Sequence, residues 1–118
     1  MGNTVLVVDD EIMTRTMLRM LLEISGYTVV EAEDGVEALQ MVAEHQPKAM
    51  ILDVMMPNMD GIEVCTRLKA GGETAVLPII MLSGGKFKDE ALAAGANMYM
   101  EKPMSTDKLL AALAEYTK

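Results

Sequence analysis

The chain has 118 residues, of which 51% are hydrophobic and 24% charged, enough for a single core and unlike disordered, collagen-like or low-complexity chains. Ten Lys and Arg against 18 Asp and Glu give a net charge of −8, and the basic residues are scattered, so direct binding to nucleic acid or to an anionic membrane surface is not expected. The lone cysteine, Cys65, excludes an internal disulfide and a thiolate metal cluster within one chain, and its place beside Val64 and Leu68 suits a small buried hydrophobe.

Reading from the N-terminus, Met1-Gly2-Asn3-Thr4 lacks the charged and apolar regions of a signal peptide, and no apolar run approaches the roughly 18 residues of a membrane span. A cytoplasmic compartment is the default. The first strand is expected over Val5-Leu6-Val7-Val8. A helix follows, with Met13, Met17, Met20, Leu21 and Ile24 on a helical stripe and Gly26 as its terminator. Tyr27-Thr28-Val29-Val30 reads as the second strand. Asp34 with Glu37 opens a second helix carrying Leu39, Val42 and Ala43 in the manner of a capping box. Ala49-Met50-Ile51-Leu52 forms the third strand, and Asp60 with Glu63 opens a helix carrying Val64 and Leu68. Pro78-Ile79-Ile80-Met81-Leu82 is the fourth strand, a weaker helix occupies residues 88–94 before Gly95, and Met98-Tyr99-Met100 is the fifth. A last helix runs from about Ser105, with Leu109, Leu110, Leu113 and Tyr116 inward.

Strand and helix alternating five times predict one domain over residues 1–118, an α/β fold with a doubly wound, five-stranded parallel sheet. Continuously apolar strands fit a sheet covered on both faces. In the flavodoxin-like order 2-1-3-4-5 the first and third strands are neighbours at the switch point, where such sheets bind ligands beyond the carboxyl ends of their strands. Asp9 and Asp10 follow the first strand, Asp53 the third, Ser83 the fourth and Lys102-Pro103 the fifth. At about 5 Å and an effective dielectric of about 20, each carboxylate pair repels by on the order of 3 kcal/mol, so a cation must offset the cluster. Mg²⁺, which takes hard oxygen ligands, is the natural candidate, and Lys102 supplies a second positive charge. A nucleophilic oxygen, a metal, a lysine and a hydroxyl are together what phosphoryl transfer requires.

Val7-Val8-Asp9-Asp10-Glu11, the run from Asp53 through Pro57 to Asp60-Gly61, Ser83-Gly84, Ala94-Gly95-Ala96 and Lys102-Pro103 resemble, in order and approximate spacing, the motifs of receiver domains of bacterial two-component response regulators, of the chemotaxis-type single-domain form. The resemblance covers the whole chain. It implies that Asp53 accepts a phosphoryl group from a phosphohistidine of a sensor histidine kinase or phosphotransfer protein. It further implies that Asp10, Asp53 and the backbone carbonyl of Met55 ligate Mg²⁺, with Asp9 acting through a bound water. Ser83, the Gly84 backbone and Lys102 would hold the phosphoryl oxygens, Tyr99 would be the aromatic switch, and the Lys102-Pro103 bond would be cis. A downstream effector protein or a fused output domain would then read the surface formed by the fourth helix, fifth strand and fifth helix. The protein would be a switch that promotes its own phosphorylation and slow loss of phosphate without turning over external substrate.

Three other functions compete. A Mg²⁺-dependent phosphatase with an aspartyl nucleophile would place that nucleophile and a second Asp after the first strand and carry a cap, neither of which is seen in the sequence. An interaction module that accepts no phosphate is disfavoured by the complete set of site residues. A flavin-binding relative would need a hydroxyl-rich phosphate loop where Asp9, Asp10 and Glu11 stand. His45 is expected on the surface at the end of the second helix, and the 13 methionines as adaptable core filler. The stretch between Ser83 and Ala94 is short by close to one helical turn relative to the family, which predicts a curtailed fourth helix beside a mobile Gly84-Gly85 loop.

Overall fold

The computed structural model describes residues 3–118, so the reading of Met1 and Gly2 falls outside the described residues. Strand β1 (Thr4–Val8) leads to helix α1 (Ile12–Ile24), β2 (Thr28–Ala32), α2 (Gly35–His45), β3 (Ala49–Asp53) and α3 (Gly61–Lys69). A 3₁₀ turn (Gly72–Val76) precedes β4 (Ile79–Ser83), α4 (Lys88–Ala93), β5 (Met98–Glu101) and α5 (Thr106–Tyr116). The strands form one parallel sheet, as the alternation of elements predicts, in the order β2-β1-β3-β4-β5.

Alternate residues of the central strands feed two cores, because successive side chains leave a strand on opposite faces. Leu6, Val8, Met50, Leu52, Ile79 and Met81 pack with Ala38, Val42, Val64, Cys65, Leu68 and Ala91 of α2, α3 and α4. Val5, Val7, Ile51, Ile80 and Leu82 face the other way, against Leu18 and Leu22 of α1 and Leu109 and Leu113 of α5. Every residue of β3 and β4 is buried, which explains why those segments carry no polar alternation until their last residues, Asp53 and Ser83.

The helix starts follow the capping chemistry read from sequence. Asp34 Oδ1 accepts the Glu37 amide at 2.8 Å, Asp60 Oδ1 that of Glu63 at 2.9 Å, and Ser105 Oγ that of Lys108 at 3.3 Å. Gly26 (φ +98°) follows α1 and Gly95 (φ +104°) follows α4, the left-handed positions that end those helices. Helix α4 has six residues, the short element the spacing implied. Cys65 is buried, with its thiol donating to the Ala94 carbonyl at 3.5 Å, and the His45 side chain is exposed.

The methionine stripe of α1 is corrected by the structure: Met13, Met17, Met20 and Ile24 are exposed, Leu21 is half-buried, and the buried residues are Leu18 and Leu22. Apolar residues surround this helix on most sides, so periodicity alone does not choose its inner face. Arg15 and Arg19, whose guanidinium groups pair with Glu31 of β2, flank the Leu18–Leu22 edge that lies on the sheet. Strand β2 begins one residue after Tyr27 and extends to Ala32, and β4 begins after Pro78.

The 3₁₀ turn was not anticipated. It is held by the Thr74 hydroxyl, donating to Leu68 O at 2.6 Å, and by Lys69, whose ammonium donates to Ala75 O, Leu77 O and Asn97 Oδ1 at 3.3, 2.7 and 3.0 Å. Asn97 Oδ1 also accepts the Ile79 amide at 3.0 Å, and its carbonyl accepts the Tyr116 hydroxyl at 3.3 Å. One polar knot therefore joins α3, β4, the α4–β5 connection and α5 at the end of the sheet opposite the acidic residues.

Candidate functional site

Four strands deliver the site. Val8 pairs with Leu52, so Asp9, just past β1, and Asp53, the last residue of β3, emerge side by side. Leu82 pairs with Asp53 and Ser83 with Glu101, which brings Ser83 and then Lys102 to the same rim. Asp9 is 1% exposed, Asp53 6% and Ser83 0%, while Asp10 faces solvent. Oxygens of Asp9, Asp10 and Asp53 all lie within 4.8 Å of one another.

Asp9 is held at each of its polar groups. Its amide donates to Ala32 O at 3.2 Å and its carbonyl accepts from Arg15 at 2.6 Å. Its carboxylate accepts the Glu11 amide and the Lys102 ammonium, both at 2.9 Å. Lys102 also reaches Asp53 Oδ1 at 3.2 Å. Burial, reinforced by the negative charge of Asp9 and offset in part by Lys102, raises the Asp53 carboxyl from 3.8 to about 6. Burial alone would lower the Lys102 ammonium, yet its bonds and attraction to Asp9 and Asp53 carry it above the usual lysine value.

The segment after β3 is shaped by a close approach. A Cβ on Gly61 would overlap the Asp53 carbonyl oxygen and lie 3.0 Å from Val54 Cα, so only glycine lets α3 start directly behind the acceptor candidate. The Gly61 amide donates to Val54 O at 2.8 Å, and Asn58, in the left-handed region at φ +69°, donates to Asp34 Oδ2 at 3.0 Å. Met55 lies within this turn, exposed, and with Asp10, Met56, Ile62 and Phe87 it lines a cavity of about 480 Å³.

The segment after β4 is tied differently. Ser83 Oγ accepts the Gly85 amide at 2.9 Å. The Tyr99 hydroxyl donates to Gly85 O at 2.7 Å and accepts the Phe87 amide at 3.0 Å, so one side chain of β5 brackets the loop that leads into α4. Gly84 is exposed, with open space where a Cβ would stand. The Lys102–Pro103 peptide bond is cis. Sequence reasoning brought Asp9, Asp10, Asp53, Ser83 and Lys102 to one rim, but it passed over Arg15 and Phe87. Arg15 had one available signal, a lone charge early in a largely apolar helix that can meet Glu31, the acid within a β-branched strand.

Three carboxylates face one ammonium here, and two of the carboxylates are buried. Such an excess of oxygen ligands fits a hard divalent cation, so the acidic cluster is a candidate metal site.

The sheet order and this acidic rim describe a class, and comparison with known proteins identifies it. The model of the response regulator receiver domain matches residues 5–114. The chain belongs to that family. It is 46% identical over 114 residues to the response regulator MprA of Mycobacterium ulcerans, an alignment spanning 94% of this chain and 48% of that protein. It thus spans about half the length of the curated relatives it matches. Among solved structures, the chemotaxis response regulator CheY4 of Vibrio cholerae superimposes with a TM-score of 0.89 at 34% identity, covering 98% of this chain and 99% of that one. The receiver domain of the sensor histidine kinase PA1611 of Pseudomonas aeruginosa, solved with a magnesium ion coordinated in its active-site cleft, gives 0.91 at 26% identity and covers 99% and 98%.

Proposed function

We propose that residues 1–118 form the receiver of a two-component phosphorelay, with Asp53 as the phosphoacceptor. The observation that carries this reading is a buried carboxylate 3.2 Å from Lys102, in a cluster of three carboxylates at the same rim as Ser83. The donor is the phosphohistidine of a sensor kinase or of a phosphotransfer protein. Asp53 Oδ attacks the phosphorus in line, the P–N bond breaks, and its electron pair returns to the imidazole nitrogen, which takes up a proton. Lys102 and Ser83, with the Gly84 amide, receive the equatorial oxygens.

Asp10, Asp53 and the Met55 carbonyl would hold Mg²⁺ directly, with Asp9 contributing through water. When bound, the ion neutralises charge on the transferring group. In the phosphorylated state the Ser83 hydroxyl turns from the Gly85 amide to the phosphoryl oxygens, and the bracket around Tyr99 rearranges. The surface of α4, β5 and α5 carries that change to an effector protein or an output domain. A cytoplasmic setting accords with such a donor, and among the described residues no helix is long and apolar enough to cross a membrane.

Neither the phosphatase reading nor that of a phosphate-free interaction module gains support from the relatives. Intact-mass measurement after incubation with acetyl phosphate tests the proposal. One phosphoryl mass should appear with Mg²⁺, little without it, and none in Asp53→Asn. Equal modification of that variant would refute the acceptor assignment.

A further inference from the structure

We propose that Arg15 is a positioning residue for the Asp9–Asp10 carboxylate pair, acting by pinning the peptide group that joins them. Its side chain is 11% exposed, low for an arginine near the start of a surface helix. One guanidinium nitrogen donates to the Asp9 carbonyl at 2.6 Å, and Nε donates to Glu31 Oε1 at 3.1 Å. Glu31 belongs to β2, where it pairs with Val7, so the guanidinium ties the β1–α1 turn to the neighbouring strand.

The peptide unit is planar, so fixing the Asp9 carbonyl fixes the plane that runs through the Asp10 nitrogen to its Cα. That plane sets the direction from which the exposed Asp10 carboxylate leaves the backbone. On its other side, Asp9 Oδ1 is already committed to the Glu11 amide at 2.9 Å. Arg15 thus holds a polar group of the turn that neither strand pairing nor the carboxylates engage. Its partner Glu31 leaves little net positive charge to oppose a cation nearby. Groups that orient metal ligands from behind commonly change affinity by about tenfold or more when removed.

The inference rests on the metal-binding reading above, and its test separates the two. Mg²⁺ affinity is measured by calorimetry on the full chain, and exchange of the Glu11 amide is followed without metal. Arg15→Met should weaken Mg²⁺ binding by about tenfold and speed Glu11 exchange. Loss of a positive charge alone would tighten cation binding, so weaker binding can only reflect lost positioning. Arg19→Met removes the same charge from the same Glu31 but touches nothing in the turn, and should leave Glu11 exchange at the wild-type value and Mg²⁺ binding unchanged or slightly tighter. Should Arg15→Met fail to fold, Arg15→Lys keeps the charge and reaches one partner instead of two, and should show a smaller weakening. Unchanged or tighter binding in the folded Arg15 variants, or the same effect from Arg19→Met, would overturn the proposal. A wild-type protein with no Mg²⁺ response would sink the metal reading, while Glu11 exchange would still decide whether Arg15 holds the turn.

Discussion

The two halves of the rim are built to opposite specifications. On the β1 and β3 side, Asp9 is bonded through its amide, carbonyl and both carboxylate oxygens, and Gly61 leaves no room behind Asp53. On the β4 side, the run from Gly84 to Phe87 is tied by the Ser83 hydroxyl and the Tyr99 hydroxyl, both of which can rotate to other partners, and Gly84 has open space around it. The rigid half holds its carboxylates in fixed positions, and the loosely tied half can change its hydrogen-bond partners at little cost.

The largest expected effect tests the strain in the rigid half. Asp53 is raised from 3.8 to about 6, so between those values the folded protein holds a proton that the unfolded chain has released. Its contribution is fully favourable below pH 3.8 and is lost as pH rises through 6, a cost of about 3 kcal/mol at neutral pH without divalent cations. Urea denaturation of wild type and Asp53→Asn should therefore diverge as pH rises from 4 to 7, with the variant more stable at pH 7. Parallel curves would mean that the acidic half stores no such strain.

Gly61→Ala comes next. Overlap with the Asp53 carbonyl should destabilise the fold by about 2 kcal/mol, read as a lower urea midpoint. Gly84→Ala, in open space on the other half, should leave that midpoint nearly unchanged. Equal losses at the two glycines would erase the contrast.

Tyr99→Phe removes the bracket from the movable half while leaving the ring in the core. Amide exchange at Gly85 and Phe87 should quicken by an amount equivalent to about 1 kcal/mol, with Asp9 and Glu11 unaffected. The smallest effect concerns lifetime. Met55 is an exposed side chain near the acceptor that cannot orient water, so Met55→Asn should shorten the half-life of the phosphorylated protein several-fold, measured as loss of the phosphoryl mass after donor removal. An unchanged half-life would show that water is not limited on that side.

The five strands and the five residues at the rim of the sheet were legible because each signal is local. Apolar runs mark buried strands, Asp34 and Asp60 mark helix starts, and acidic or basic residues directly after apolar runs fall at strand ends. The rotation of α1 was not legible, since Leu18 and Leu22 are as apolar as Met13 and Met17, and the pairing of Arg15 and Arg19 with Glu31 spans to a distant strand. The Tyr99 bracket and the bond from Arg15 to Asp9 were hidden because the partners are backbone atoms, which have no sequence identity. The 3₁₀ turn depends on Lys69 binding three oxygens of which only Asn97 Oδ1 belongs to a side chain.

That lysine knot has a mechanical meaning. It clamps the chain just after α4 to α3, β4 and α5, whereas the opposite end of α4 hangs from the hydroxyl of Tyr99. A six-residue helix is a rod about 9 Å long. Fixed at one tip, it can answer a loop displacement only by swinging. A shift of about 2 Å at its free tip tilts such a rod by roughly 13°, so a movement the size of one bond and a half at Gly85 becomes a reorientation of the exposed charges of Lys88, Asp89 and Glu90.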